Sequence, residues 1–240
     1  MNPGNSDSID SDVVDVVIAN RDGMPFLPIA VQSVLRQATS AIRAHVVDGE
    51  SRDGSPSYLD GVSDSRFSWS SSPHALTPAA RRNLGVARTS AEYVMFLDSD
   101  DVLVTEAVWN LKQALTSSEY EIVVGGIRRF YDAEVEPIRT PPDSSLRGEV
   151  EYAPAIGNVL FKRTLVERMG PFNETLLVGD FVEWMSRLRA VHITEQIVQD
   201  LVVWRREHAS NWSRVARDHY TRDYPAIVRS FLRLREQNRR

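Results

Sequence analysis

Short runs suited to buried strands recur at residues 13–19, 45–48, 93–97 and 121–124, with a further short strand at 66–69. Between them the apolar spacing lengthens to the helical period of about 3.6. After Pro25 the positions Leu27, Ala30, Val31, Val34 and Leu35 fall on one helical face. Thr77-Pro78 reads as an N-cap followed by a first-turn proline, opening a helix to about Thr89, and a third helix is predicted near 106–115. Asp53-Gly54-Ser55-Pro56 reads as a turn. This alternation predicts a doubly wound, Rossmann-like, mostly parallel α/β sheet, which binds ligands outside the carboxyl ends of its strands. Residues 132–149, rich in proline and acids, break the rhythm and are expected to form a long surface loop that acts as a lid. A strand at 158–161, a helix at 180–190, a strand at 193–204 and a last helix at 225–237 follow. Residues 1–12 lack any hydrophobic period and predict a disordered tail.

Composition narrows the class. At 240 residues, 42% apolar and 25% charged, the chain is an ordinary globular one, which excludes wholesale disorder, collagen and coiled coil. With no cysteine there is no disulfide framework and no thiolate metal site. No apolar run approaches the ~18 residues of a membrane span, and no secretion signal opens the chain, so a cytoplasmic protein is expected. The net charge of −5 is uneven: from Trp204 onward ten arginines face four acids. That end predicts either a solvated helix face or a surface for an anionic partner, peripheral membrane contact included.

Polar residues gather where the predicted strands end: Asn20-Arg21-Asp22, Asp48, and Asp98-Ser99-Asp100-Asp101. Two carboxylates two residues apart can divide labour, one holding a sugar hydroxyl and the other a hard cation such as Mg²⁺ or Mn²⁺. The competing reading of Asp98-Ser99-Asp100 is a polar strand terminus that caps the next helix.

The ordered set VVIANRDGMPFL (16–27), VVDGESRDGS (46–55), AARRNLG (79–85) and FLDSDDVL (96–103) resembles the nucleotide-sugar-dependent, inverting glycosyltransferases of family two, which have the GT-A fold. The similarity continues through residues 162–184 and 205–213. The resemblance implies a hexosyltransferase domain over 13–213, with a nucleotide-binding half at 13–103 and a smaller acceptor half at 104–213. A basic helix within 214–240 would pack on or beside it. It further implies that Ala19, Arg21, Asp48 and Arg82 line the nucleotide site, that Asp98 and Ser99 meet the ribose, and that Asp100 holds a Mn²⁺ or Mg²⁺ ion. His208 would be a late metal ligand; otherwise it is a surface histidine among arginines. The implied donor is a nucleotide sugar, a UDP-sugar first. The acceptor is a saccharide, peptide, lipid or metabolite, and no nucleic acid is involved.

Three departures from the family pattern stand out. Arg21 replaces an aromatic that would stack on the base, although a guanidinium plane also stacks. Gly49 replaces the second acid after the second strand, and Asp180-Phe181 replaces the usual Glu-Asp. Asp180 and Glu183 lie three apart on one predicted helical face, so either can take the acceptor proton, with Asp180 preferred and Arg187 placed to hold one of them. The competing role for Asp180 is a helix cap. Two other functions remain. A haloacid-dehalogenase-type phosphatase would use Asp98, Lys162 and Asp180; a non-catalytic nucleotide-sugar-binding protein would keep the fold alone. Two Asn-x-Ser/Thr tripeptides, at Asn173 and Asn211, are read as chance, and Trp184, Trp204 and Trp212 as core or as acceptor platforms.

Overall fold

The computed structural model describes residues 10–39, 41–72, 76–131, 141, 145–209, 211–212 and 216–237. The chain runs β1 (Asp10–Asn20), α1 (Leu27–Leu35), β2 (Ile42–Asp48), α2 (Ser55–Asp60), β3 (Phe67–Ser71), α3 (Pro78–Ala87) and β4 (Ala91–Asp98). It continues through β5 (Val102–Leu103), α4 (Ala107–Thr116), β6 (Ile122–Tyr131), β7 (Leu146–Glu151), β8 (Val159–Lys162) and α5 (Thr164–Met169). It ends with α6 (Asp180–Ala190), β9 (Gln196–Glu207) and α7 (Tyr220–Gln237). The described strands form one nine-stranded sheet in the order β3-β2-β1-β4-β8-β6-β9-β5, with β7 beside β6. The first four are mutually parallel, while β8 runs antiparallel to both β4 and β6. Strand order reverses between β1 and β4, and sheets of this kind bind ligands beyond the carboxyl ends at that point. This is the doubly wound α/β arrangement that the alternation of strands and helices predicts.

Alternation along β1 builds two cores. Val14, Val16 and Ile18 face α1 and α4, whereas Val17 faces the side carrying α3 and α6. On that second side Phe96, Phe161, Phe172, Phe181 and Trp184 pack ring against ring, with centroids 5.0–6.3 Å apart. Asp15 interrupts β1 with a buried carboxylate, and its oxygens accept from Arg43, Arg163 and the backbone N–H groups of Ser90 and Ala91. A buried charge is tolerable when paired and fully hydrogen-bonded in this way.

Helix α3 lies close against β1 because Gly85 has no side chain. A Cβ there would stand 2.2 Å from Val17 Cγ1 and 3.3 Å from Val47 Cγ2. We expect Gly85→Val to cost about 1–3 kcal/mol by overpacking. Urea unfolding should show a lower midpoint at an unchanged slope.

Four sequence expectations change. Residues 10–12, expected in the tail, are strand, since β1 begins at Asp10 and Asp12 is anchored by Lys112, whose Nζ reaches its carbonyl oxygen and its carboxylate; positions 1–9 lie outside the described residues. Asp53-Gly54-Ser55-Pro56 opens a helix instead of making a free turn: Asp53 Oδ1 accepts from Ser55 N at 3.0 Å, and Pro56 suits a first helical turn. The end of the expected lid is strand, because Leu146 and Arg147 pair with Phe130 and Arg129 and Arg129 binds Glu151; positions 132–140 and 142–144 lie outside the described residues. The last helix starts at Tyr220, ahead of Pro225.

Candidate active site

Parallel register brings the ends of β2, β1 and β4 together, pairing Asn20 with Asp48 and Ala19 with Asp98. Asp48 is buried, and its carboxylate accepts from Asn20 Nδ2 at 2.7 Å, Ser51 Oγ at 2.6 Å and Ser51 N at 3.0 Å. Arg21 sits at the exposed rim, 3.9 Å from Asp22. Gly49 leaves room for Arg81, whose Nη1 would stand 2.8 Å from a Cβ at that position. Arg81 is buried and donates to the Leu76 carbonyl. Burial, together with the charges of Arg82 and Arg21, lowers its pKa to about 10.

The acidic turn after β4 is compact. Carboxylate oxygens of Asp98, Asp100 and Asp101 all lie within 4.8 Å of one another. Asp101 is buried and accepts from Arg206 N at 2.9 Å; desolvation, and then the charge of Asp100, raise its pKa well above the ordinary value. Burial works against the charge of Arg205, yet Asp101 and Asp98 leave its pKa raised. Strand β9 delivers the remaining partners. His208 Nε2 lies 3.0 Å from Asp100 Oδ2, and Asn211 Nδ2 donates to the same oxygen at 3.1 Å. Arg206 donates to the Asp100 carbonyl at 2.9 Å, its guanidinium between the rings of Phe26 and Phe130 at 4.6 and 4.7 Å. Phe26 in turn packs on His208, with centroids 4.7 Å apart. A set of clustered carboxylates with one imidazole is a donor set that fits Mn²⁺ or Mg²⁺.

A buried guanidinium joins the two halves of the site. Arg82 donates to Asp98 Oδ1 at 3.0 Å and to Asp180 Oδ2 at 2.5 Å. Burial opposes its charge, but Asp180 and Asp98 outweigh that and raise its pKa. Glu183 shares a helical face with Asp180 but has a different partner. It pairs with Arg187 at 3.1 Å, and Arg187 is tied to the carbonyls of Met169 and Pro171. Burial raises the pKa of Glu183 against the opposing effect of Arg187. Its contacts thus lie along α5 and α6, away from the Arg82–Asp98 pair.

The segment entering α6 is held from behind. Asp223 on α7 accepts from the backbone N–H groups of Leu177 at 2.9 Å and Val178 at 3.2 Å, and Trp212 Nε1 donates to the Leu177 carbonyl at 2.9 Å. Gly179 takes φ +75 there, against Ile227 and Tyr224. Of the three tryptophans singled out above, Trp184 and Trp204 are core, while Trp212 is half exposed. Sequence reasoning placed Asn20 at a strand end but missed Arg81, Asn211 and Asp223. The doubled Arg81-Arg82 was a visible signal; the other two have none in local spacing. Lys162, the phosphatase candidate, pairs in register with Tyr93 at the start of β4, the end opposite Asp98. At about 3.3 Å per residue it stands too far away to serve that carboxylate.

The E. coli enzyme WfaP, described as a UDP-Glc:alpha-D-GlcNAc-diphosphoundecaprenol beta-1,3-glucosyltransferase, is 27% identical over 183 residues, covering 74% of this chain and 70% of that protein. Glycosyltransferase GlyG of Streptococcus pneumoniae is 23% identical over 126 residues, which span 52% of this chain and only 42% of GlyG. Among solved structures, S. aureus TarS 1-349 in complex with UDP-GlcNAc superposes with a TM-score of 0.66 at 15% identity, covering 83% of this chain and 60% of that one. The family profile described as Glycosyl transferase family 2 matches residues 15–171, which hold Asp48, Arg82 and Asp98–Asp101 but not Asp180 or His208. The phosphatase reading is therefore set aside, and the chain belongs to glycosyl transferase family 2.

Proposed function

We propose that this protein transfers a hexosyl group from a nucleoside-diphosphate sugar, a UDP-sugar first, to an acceptor hydroxyl with inversion. The observation that carries the reading is Arg82, one guanidinium shared by Asp98 on the donor side and Asp180 on the acceptor side. WfaP is named for a UDP-Glc donor, and TarS has been solved with UDP-GlcNAc and with UDP, which supports the choice of donor.

In this reading residues 13–103 bind the nucleotide and 104–213 meet the acceptor. Ala19, Arg21 and Asp48 line the base, with Arg82 nearby, and Asp98 and Ser99 face the ribose. Asp100 and His208 would hold Mn²⁺ or Mg²⁺, which when bound neutralises charge developing on the departing diphosphate. Asp180 accepts the proton of the acceptor hydroxyl while its oxygen bonds to the anomeric carbon and the bond from that carbon to the diphosphate breaks. Arg82 fixes the direction of the Asp180 carboxylate. Glu183 is the second candidate for this base.

Thermal unfolding with UDP, UDP-glucose and UDP-GlcNAc, with and without Mn²⁺, tests the donor half. A ligand at 100 times its Kd should stabilise by about 2.7 kcal/mol, and only when metal is present. Release of UDP over time tests transfer. Absence of any nucleotide-dependent shift overturns the reading. A shift without UDP release, across sugar, peptide and lipid acceptors, identifies a binding protein that transfers nothing.

A further inference from the structure

We propose that α7 is an interfacial helix that seats the protein on an anionic lipid surface beside the entrance to the candidate site. The orientation of α7 is set on its inner face, where Asp223 and Ile227 are buried against the segment from Leu177 to Gly179. That leaves Val228 and Leu232, four residues apart, pointing outward with 54% and 51% of their surface exposed, and Tyr224 one turn earlier, packed on Gly179 along one edge and 40% exposed. A helix whose outer face met only water would carry charges at these positions.

Charge identifies the occupant. Arg229 and Arg233 fall four residues apart in one row alongside the apolar stripe, Arg222 earlier in that row pairs with Asp223 at 2.7 Å, and Arg235 lies on the stripe itself. Of the two acids in α7, Asp223 is turned inward, which leaves Glu236 as the exposed one. Arg239 and Arg240 extend the basic sequence. The chain as a whole is acid at −5, so this face is a local exception. An apolar stripe bordered by arginines matches the boundary between acyl chains and anionic headgroups. A second copy of this helix would bring two arginine rows together, so like-charge repulsion disfavours self-association through the stripe. Trp212 and Tyr224 add two half-exposed aromatics with polar tips at the same end, both touching the Leu177–Gly179 segment. Such side chains suit a membrane–water interface.

Only the placement of the site entrance toward the surface rests on the proposed transferase reading; attachment of α7 does not. Sedimentation with vesicles of phosphatidylcholine alone, and of phosphatidylcholine mixed with phosphatidylglycerol, tests it on the full chain. Wild type should pellet with the mixed vesicles only and be released at high salt, as screening shortens the reach of the arginines. Val228→Asp/Leu232→Asp and Arg229→Glu/Arg233→Glu should each weaken pelleting about ten-fold or more, with thermal melting and Mn²⁺-UDP binding unchanged. Equal binding to neutral vesicles, or none to either, overturns the proposal. So does a dimer in light scattering that Val228→Asp splits, which would assign the stripe to a second copy. Vesicle binding that persists while UDP binding fails would sink the transferase reading and leave this one standing.

Discussion

Asp180→Asn is expected to bind a UDP-sugar with Mn²⁺ as the native protein does and to transfer the sugar about 10²–10⁴-fold more slowly, the usual contribution of a general base. An asparagine oxygen still accepts from Arg82, and Arg82 keeps its second carboxylate at Asp98, so the buried guanidinium is not stranded. Folding should therefore survive, and the loss should appear in kcat. Glu183→Gln has a different consequence. It weakens the hold on Arg187, which braces the carbonyls of Met169 and Pro171, so it should lower thermal stability more than turnover. Steady-state rates and melting curves for the two variants separate these outcomes. A dead Glu183→Gln beside an active Asp180→Asn would exchange the roles. Two fully active variants would remove α6 from the chemistry.

The second large effect concerns Asp100. Its Oδ2 faces His208 Nε2 and takes the Asn211 amide, so it is the point where β9 and its following loop meet the acidic turn. Asp100→Asn replaces a charged ligand by a neutral amide with a single acceptor oxygen. We expect it to abolish the metal dependence of UDP binding. Asn211→Ala, which removes a neighbour and leaves the carboxylate, should weaken the metal-linked affinity by about 10–100-fold. Titrating UDP into native and variant proteins, with Mn²⁺ and with chelator, measures both. Equal affinities for native and Asp100→Asn under both conditions would exclude Asp100 from metal binding.

Much of the fold was legible because its signals are local. The run at 13–19 and the helical spacing from Leu27 to Leu35 each report burial on one element, without knowledge of its neighbours. The threonine at 77 does cap α3, accepting from Ala80 N at 3.2 Å, because an N-cap bond spans only three residues. Less legible were α2, β5, β7 and α5. Each is short, and β5 and β7 exist through pairing with β9 and β6, partners distant in sequence.

The candidate site divides along the same line. The parallel α/β order and the acids at the strand ends follow from local signals, since periodicity and strand termination are properties of neighbouring residues. How those residues are joined depends on the packing of distant elements. Arg82 reaches across to Asp180, 98 positions away, and His208 reaches back to Asp100 over 108. That packing also separated Asp180 from Glu183, which helical spacing alone had left equivalent: one carboxylate meets a guanidinium on α3, the other an arginine on its own helix. Likewise, it distinguished an exposed Trp212 from a buried Trp184 and turned Asp223 inward while leaving Val228 and Leu232 outside. Such choices depend on which element packs behind a residue, and chain crossings that bring distant segments into contact leave no period in the sequence.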